Sequence, residues 1–265
     1  MFFAFDQYNI VGTLVVSFII QSFFFAFASA FKTDKVTDLS YSLGFALLTL
    51  WIMIANRAFA ATQLLAAAFI FLWAARLGAY LLTRILRIGK DARFDDKRGN
   101  FLKFLAFWVL QAIAVWVILL PATVMFSLDS VAAPTAVSVL GMILWLSGFA
   151  IEAVADAQKY AFRNNTANKD LWIQSGLWKY SRHPNYFGET LLWWGLFFLV
   201  LPNLQGWLLL TIAGPVFITL LLLFVSGIPL LEQSADRRHG DKPAYQEYKK
   251  RTSIFFLLPP HRNRV

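Results

Sequence analysis

A short polar segment interrupts the apolar chain at residues 181–189, which read Ser-Arg-His-Pro-Asn-Tyr-Phe-Gly-Glu. Pro184 suits the first turn of a helix, where its missing N–H costs no hydrogen bond. The free N–H groups of that turn, together with Arg182 and Asn185, could bind an anion. Glu189 follows about one turn later and would need a partner there. A purely structural turn would not need these residue types together, so the segment predicts a binding site.

Two stripes of ionisable residues accompany this segment. Steps of three and four place the members of each stripe on one face of a helix. The first comprises Trp73, Arg76, Tyr80, Arg84 and Arg87, and the second comprises Glu152, Asp156, Lys159, Tyr160 and Arg163. Ionisable groups are costly inside apolar helices, so each stripe indicates a function. The stripes could form an internal salt-bridge network or line a cavity for a polar, anionic ligand. Arg84 and Arg87 could also extend to lipid headgroups.

The C-terminal segment 232–265 mixes charges with aromatic residues and is too short for a further membrane crossing. Two interpretations stay open. The segment could be basic and amphipathic and lie on the inner leaflet. Alternatively, it could be a lid over a cytoplasmic opening, in which Arg237 or Arg238 would contribute to phosphate binding.

The composition shows that membrane helices must position these residues. Of the 265 residues, 58% are hydrophobic and 15% are charged, whereas a soluble domain carries about a quarter charged residues. This excludes a soluble enzyme, a disordered chain and a disulfide-stapled domain. The chain has no cysteine for a thiol nucleophile or a zinc site, and its three scattered histidines lack metal-ligand spacing. No metal site is therefore expected.

Apolar runs of about 20 residues predict membrane-spanning helices. We predict an all-α protein with seven spans, at 8–31, 40–58, 62–87, 101–120, 134–160, 184–201 and 207–231. The first lacks a basic region and a cleavage motif, so it is expected to be a retained helix rather than a signal peptide. We expect one integral membrane domain over residues 1–265, with residues 231–265 as its tail.

The positions of Lys and Arg predict the orientation. The segments 32–38, 84–103, 159–183 and 232–265 hold 2, 7, 5 and 8 of them, which is 22 of the 24 in the chain. The segments 121–133 and 202–206 hold none. Cytoplasmic loops carry the excess of Lys and Arg, so the N-terminus should face outward and the tail should be cytoplasmic. We expect a bacterial inner-membrane protein with a site open to the cytoplasm.

The segment 181–189, the following apolar span, and Tyr-Gln-Glu-Tyr-Lys-Lys-Arg-Thr-Ser at 245–253 before Pro259 and Pro260 carry a family resemblance. Over roughly residues 35–265 the chain resembles the bacterial steroid 5α-reductase-like family (DUF1295). That family is related to sterol C14-reductases and to isoprenylcysteine and phospholipid methyltransferases. The methyltransferases share the Arg-x-His-Pro-x-Tyr…Glu signature, so the signature alone does not choose between cofactors.

The resemblance implies a reductase that holds NADPH within its helices, and no Gly-x-Gly-x-x-Gly motif of a Rossmann domain occurs in the sequence. Three elements match those of steroid reductases: Arg76 with Tyr80, Asp156 with Lys159 and Arg163, and Asn185 with Tyr186 and Glu189. We expect all of these residues to bind the cofactor, together with Arg84 and with Arg237 or Arg238.

The substrate-binding residues of the animal enzymes are not matched. Their Tyr position falls near Trp73, and no Gln-Glu pair precedes it. Asp38, with Tyr41 one turn on, is the nearest substitute, although Asp38 could instead pair with the N-terminal dipole of its helix. As catalytic residues we expect Asp38 or Tyr41 to polarise the substrate carbonyl and Glu189 to position the nicotinamide.

The expected reaction is the NADPH-dependent reduction of a carbon–carbon double bond in a lipophilic enone, such as a 3-oxo-Δ4-steroid, with hydride transfer to the β-carbon. A hydrogen-bond donor at the carbonyl would stabilise the developing negative charge. Two alternatives stay open: S-adenosylmethionine-dependent methylation of a lipid or prenyl substrate, and a non-catalytic lipid-binding or transport role. The expected partners are a lipophilic small molecule and membrane lipid, without nucleic acid, for a monomeric protein.

Overall fold

The computed structural model describes residues 6–89, 94, 95, 97 and 99–260. Of these described residues, 77% are helical and none forms a strand, which confirms the all-α prediction. The α-helices of the described part are α1 (Ile10–Ala30), α2 (Thr37–Asn56), α3 (Ala61–Ile88), α4 (Phe101–Phe126), α5 (Ala136–Asn164), α6 (Pro184–Val200), α7 (Ala213–Leu220), α8 (Ile228–His239) and α9 (Pro243–Arg251). The last five residues of the predicted tail lie outside the described residues.

Among the described residues, six helical segments are long and apolar enough to cross a membrane: Ile10–Ala30, Thr37–Asn56, Ala61–Arg87, Phe101–Phe126, Ala136–Asn164 and Gly206–His239. The prediction of a membrane protein with transmembrane helices is thereby confirmed. The remaining predicted span, 184–201, forms α6, which has 17 residues. At 1.5 Å per residue α6 is about 26 Å long, slightly shorter than a hydrocarbon core of about 30 Å.

The chain divides into two compact units, and the first comprises Met1–Val139 and Leu196–Gly214. Helices α1, α2 and α4 of this unit share a buried amide network. In it, Gln111 Nε2 donates to Gln21 Oε1 and to Ser40 Oγ, each at 2.9 Å. Because an unpaired amide is costly in an apolar interior, the network favours one arrangement of the three helices. Helix α3 packs against α2.

The second unit comprises Leu140–Gly195 and Pro215–Val265. Its helices α5 and α6 approach each other closely at glycines. A Cβ atom added at Gly188 would lie 2.6 Å from Glu152 N, and one added at Gly195 would lie 2.4 Å from Trp145 N. Only glycine fits such backbone contact, so these positions set the separation between α5 and α6.

The last apolar segment is interrupted before its charged end. The 3₁₀ turn Gly206–Ile212 leads into α7, which is followed by a π-helical turn, Leu221–Val225, and a bend at Ser226 and Gly227. Helix α8 begins directly after the bend and carries the charged residues. The predicted span 207–231 therefore ends within α8, whose helix continues to His239. The predicted tail includes most of α8 and all of α9.

Candidate functional site

Helix α6 begins at Pro184, in agreement with the sequence prediction. The residues before α6 are fixed to α5. Trp178 Nε1 donates to Ala155 O at 3.0 Å, and the amino group of Lys159 lies 4.6 Å from the centre of the Trp178 ring. The polar segment that precedes α6 is therefore anchored to the C-terminal half of α5.

The amide of Asn185 on α6 meets the carboxylate of Asp156 on α5. Asn185 Nδ2 donates to Asp156 Oδ1 at 3.2 Å. Because an ionised carboxylate only accepts hydrogen bonds, the amide nitrogen must face it and the amide oxygen must face away. That oxygen is buried and has no hydrogen-bond partner within the described part of the chain. Two predicted cofactor-binding residues thus lie together, and Asn185 presents an acceptor that a ligand could use.

Glu232 on α8 connects the start of α6 with α9. Its Oε1 lies 2.8 Å from His183 Nε2, and its Oε2 lies 2.8 Å from Arg182 Nη1. The contact with Arg182 is an ion pair by distance, but its geometry does not meet the criteria for a hydrogen bond. Lys249 Nζ lies 3.4 Å from Glu232 Oε2 and 2.6 Å from Asp236 Oδ1. The guanidinium of Arg182, which the sequence suggested for an anion site, is therefore charge-compensated by Glu232.

The two ring nitrogens of His183 have different surroundings. Nε2 must carry the proton that the Glu232 carboxylate accepts, so Nδ1 is an acceptor in the neutral ring. Nδ1 is buried and no described residue hydrogen-bonds to it. Burial lowers the pKa of His183 despite the opposing effect of Glu232, which favours the neutral ring. The ring also stacks on Tyr186, with 5.8 Å between the centroids.

Two tyrosines of α9 contribute hydroxyl donors beside this cluster. The Tyr248 hydroxyl donates to Trp178 O at 2.9 Å, and the Tyr245 hydroxyl donates to Asp236 Oδ1 at 3.2 Å. Burial raises the pKa of both tyrosines well above the usual value. Both hydroxyls therefore stay protonated at neutral pH and act as donors.

The other predicted residues of the second unit lie on α5, α6 and α8. Glu189 is buried on α6, and Arg163 is exposed near the end of α5. Arg237 and Arg238 are exposed on α8, next to the residues that bind Lys249. Their predicted contact with phosphate stays a prediction.

The remaining predicted residues lie in the first unit. Asp38 Oδ2 lies 4.0 Å from Arg84 Nη2. Tyr41 packs edge-on against Phe45 and Trp73, with centroid distances of 5.1 and 6.3 Å. Arg76 and Tyr80 are partly buried on α3. The two predicted stripes thus lie in different units, and their shared cavity stays a prediction.

Sequence analysis did not assign a site role to His183, Glu232, Lys249, Tyr245 or Tyr248. His183 was considered as one residue of the polar segment 181–189 and as a possible metal ligand, and Glu232 only as one charge of the tail. One signal in the sequence could have indicated their contact. The tail contains an acid and a base that need partners, and the start of α6 contains Arg182 and a histidine with the same need. No group of three or more His, Asp or Glu side chains in the described ranges could hold a metal ion.

A family model described as a protein of unknown function (DUF1295) matches residues 24–252. The chain belongs to the DUF1295 family. This match confirms the predicted membership, whereas the relation to steroid reductases stays a prediction. No curated protein and no solved structure matches the chain.

Several buried polar atoms in the second unit of this DUF1295 protein lack hydrogen-bond partners among the described residues. Outside residues 183–190, these atoms of the unit are Trp172 Nε1, Arg182 Nε and Nη1, Trp193 Nε1 and His239 Nδ1. Among residues 183–190, three of these atoms have no hydrogen-bond partner within the described part of the chain: His183 Nδ1, Asn185 Oδ1 and Thr190 Oγ1. Buried polar atoms of native proteins are usually hydrogen-bonded, so unpartnered ones call for an explanation. Ribose hydroxyls and the nicotinamide carboxamide offer the donors that these acceptors need. Exposed arginines at positions 163, 237 and 238 carry the charge that phosphates require.

Proposed function

We propose that this DUF1295 protein reduces a carbon–carbon double bond in a lipophilic enone, such as a 3-oxo-Δ4-steroid, with NADPH as the reductant. The hydrogen bond between Asp156 and Asn185 carries the proposal. These residues belong to two separate sequence elements that the steroid-reductase resemblance assigns to the cofactor. Their contact, with an acceptor oxygen left over on Asn185, supports a common role.

In this proposal the residues of α5 and α6 hold the cofactor. Asn185 Oδ1 would accept a hydrogen bond from the carboxamide or a ribose hydroxyl, and Asp156 would fix the orientation of the amide. Glu189, about one turn further along α6, would position the nicotinamide. When bound, NADPH supplies a hydride to the β-carbon of the enone and becomes NADP⁺, and a proton is added at the α-carbon. The protein would act as a monomer on a substrate from the lipid phase.

For the substrate carbonyl, the contacts of the first unit favour Tyr41 over Asp38. A carboxylate that is paired with Arg84 accepts hydrogen bonds and does not donate one. The hydroxyl of Tyr41 is a donor, and its ring is packed between aromatic neighbours. A fixed donor is what the developing negative charge on a carbonyl oxygen requires. Of the two residues, Tyr41 is therefore the better candidate to polarise a carbonyl.

We propose a seven-span topology, with the N-terminus outside and the C-terminus in the cytoplasm of a bacterial inner membrane. The alternating Lys and Arg content of the loops supports this orientation. Helix α6 would be the seventh crossing. The 3₁₀ turn Leu201–Asn203 continues it by about 6 Å at about 2.0 Å per residue, which brings its length close to the bilayer core. The proposed site then faces the cytoplasm, where NADPH is available.

Methyl transfer from S-adenosylmethionine is the second candidate. It is favoured by one observation, the Arg-x-His-Pro-x-Tyr…Glu signature at residues 182–189, which methyltransferases of the wider superfamily share. The proposal of a reductase needs exposed cations for three phosphates, whereas this alternative needs none. The two activities also differ in the transferred group: a reductase transfers a hydride from NADPH, and a methyltransferase transfers a methyl group from S-adenosylmethionine.

Isotope transfer separates the two activities. Purified protein in nanodiscs is incubated with a lipid extract and an enone panel, together with either NADPH deuterated at nicotinamide C4 or S-adenosylmethionine with a CD3 methyl group. Mass spectrometry of the lipids then reports the transferred atoms. The proposal predicts a product that has gained one deuterium and one hydrogen across a former double bond. Transfer of the CD3 group, or no transfer from NADPH, contradicts it.

The matched control for this experiment is a pair of asparagine variants. Asn185→Ala removes the proposed cofactor contact, so its product yield should fall at least tenfold. Asn168→Ala removes an asparagine of the same unit whose Nδ2 donates to Phe162 O, away from α6. Its yield should stay within about twofold of the unchanged protein. Equal losses in both variants would indicate unfolding rather than a lost contact.

A further inference from the structure

The end of the described chain, residues 252–258, is held against the segment that precedes α6, and we call it the C-terminal strap. Arg182 N donates to Ser253 O at 2.8 Å, and Ser181 Oγ donates to Phe255 O at 2.8 Å. Leu258 N donates to Tyr180 O at 3.2 Å. The strap is therefore a fixed part of the second unit.

Side chains of the strap alternate between buried and exposed. Phe255 is 6% exposed, whereas Ile254, Phe256 and Leu258 are 43%, 58% and 48% exposed. The three exposed residues fall within five positions of the strap, and we call them its apolar edge. Water-facing segments seldom expose three large apolar side chains so close together, which indicates a partner.

The surroundings of this apolar edge are basic. Lys250 and Arg251 precede the strap and are exposed, and Lys179, also exposed, lies beside Tyr180. The acid that faces these cations is Glu247, which lies 3.8 Å from Arg251. Three cations and one carboxylate leave the area positively charged. Apolar side chains flanked by Lys and Arg fit the surface of an anionic lipid leaflet.

The position of the strap agrees with a lipid partner. Phe255 and Phe256 contact Phe187, in the first turn of α6, at centroid distances of 5.5 and 5.9 Å. If α6 crosses the membrane, as we proposed from its sequence and length, its first turn lies at the membrane boundary. The apolar edge of the strap then lies at the depth of the interface.

We propose that the C-terminal strap docks on the anionic cytoplasmic leaflet, with Ile254, Phe256 and Leu258 inserted and Lys179, Lys250 and Arg251 at the headgroups. This inference rests on the proposed topology for its choice of leaflet. It gives the strap a second role beside that of a structural segment. Contact with lipid would hold the strap at the membrane surface. The strap in turn is hydrogen-bonded to Ser181 and Arg182 at the candidate site.

Spin labelling tests the docking directly, because the chain has no native cysteine. Phe256→Cys and the control Ala244→Cys, an exposed position on α9, are each labelled with a nitroxide in the full-length protein. The proteins are reconstituted in vesicles of phosphatidylcholine with or without one quarter phosphatidylglycerol. Collision with oxygen, which concentrates in lipid, is compared with collision with a water-soluble nickel chelate.

At position 256 we expect oxygen collisions to exceed nickel collisions in the anionic vesicles, with the reverse at position 244. The excess should fall at least threefold without phosphatidylglycerol, and equally in a Lys250→Gln, Arg251→Gln background. Dominant nickel collisions at position 256 overturn the proposal. Lipid contact that ignores both charge changes also overturns it, since the surface would then not recognise anionic lipid. Both leaflets of the vesicles are anionic and no cofactor is needed, so the result is independent of the proposed orientation and reaction.

Discussion

Single side-chain orientations determine what the candidate site can bind. Asp156 is buried, and the N–H that it accepts comes from Asn185. This contact turns the oxygen of Asn185 away from the carboxylate and leaves it as an unpartnered acceptor within the described part of the chain. The family resemblance selected both residues, but spacing along one helix does not reveal which side chains of two helices meet. The contact therefore required the structure.

Replacing Asn185 should weaken NADPH binding. Asn185→Ala removes an acceptor for the ligand and a donor for the buried Asp156, so we expect a Kd about 5- to 30-fold higher, from about 1–2 kcal/mol of lost hydrogen bonding. Fluorescence titration of NADPH into nanodiscs measures the Kd. Asn168→Ala is the control and should leave the Kd unchanged. An unchanged Kd in Asn185→Ala would exclude the proposed contact.

His183 should make the stability of the protein depend on pH. Its pKa in the folded protein is lowered by burial, below the unfolded value of about 6.5. The folded state therefore binds fewer protons than the unfolded state, and His183 contributes less stability as the pH falls below about 6.5. Glutamine can still donate to Glu232 and does not titrate, so the His183→Gln variant removes the titration together with the ring that stacks on Tyr186.

Thermal unfolding in detergent between pH 5 and pH 8 measures this effect as the difference in Tm between the unchanged protein and His183→Gln. Taking the difference removes the contributions of carboxylates that do not contact His183. We expect the Tm of the unchanged protein to fall relative to that of the variant as the pH is lowered through 6.5. A constant difference, or the opposite trend, would mean that the pKa of His183 is not lowered.

At the scale of the elements, glycines on α5 and α6 bring Asp156 and Asn185 within hydrogen-bonding distance. Gly148 and Gly188 lie where the two helices touch, with 2.7 Å between a Cβ placed on Gly188 and Gly148 O. Apolar residues elsewhere on the helices pack in many ways, but backbone contact permits one separation. The sequence shows where the glycines are, but it does not show that the two helices face each other there.

Adding a methyl group at this crossing should separate the helices. In Gly188→Ala the new Cβ would meet the α5 backbone, which cannot move aside as a side chain can, so we expect about 1–3 kcal/mol or more of destabilisation. A loss of NADPH affinity should accompany it, because Asn185 moves away from Asp156. Gly99→Ala is the control, since a Cβ there has no neighbour within 4 Å. Equal Tm values in the two variants would contradict the close packing.

Hydropathy does not predict the helix breaks near the C-terminal end of the chain. An apolar run predicts a helix up to about residue 231, but it contains no signal for the π-helical turn or the bend at Gly227. The bend starts α8 before the charged residues, which places Glu232 beside His183. Sequence analysis predicted that residues 232–265 form either a lid or a segment at the membrane interface. The structure shows two helices and a strap that is bonded to the residues before α6.

For the whole molecule, composition was enough to predict the class of protein. The chain is 58% hydrophobic, and six of its described helical segments are long and apolar enough to cross a membrane. Periodicity and apolar length also located the helices that carry the predicted site residues. The contacts between those helices depend on packing, which no pattern within one helix contains. The orientation in the membrane rests on Lys and Arg positions alone and needs its own test.

Single-cysteine labelling tests the topology, because no native cysteine interferes. Ser130→Cys lies in the loop after α4, and Ser175→Cys lies before α6. In intact cells a membrane-impermeant maleimide should label position 130. It should label position 175 only after the inner membrane is permeabilised. Labelling of position 175 but not of position 130 in intact cells would show the opposite orientation. Labelling of both positions would exclude an odd number of membrane crossings between them.

The central claim is that the second unit binds a phosphorylated nicotinamide dinucleotide, and equilibrium binding tests it most directly. Purified protein in nanodiscs is titrated with NADPH and, separately, with S-adenosylmethionine, and nicotinamide fluorescence and calorimetry report the occupancy. We predict saturable one-to-one binding of NADPH that weakens in Asn185→Ala but not in Asn168→Ala, with no binding of S-adenosylmethionine. Saturable binding of S-adenosylmethionine without binding of NADPH would contradict the account.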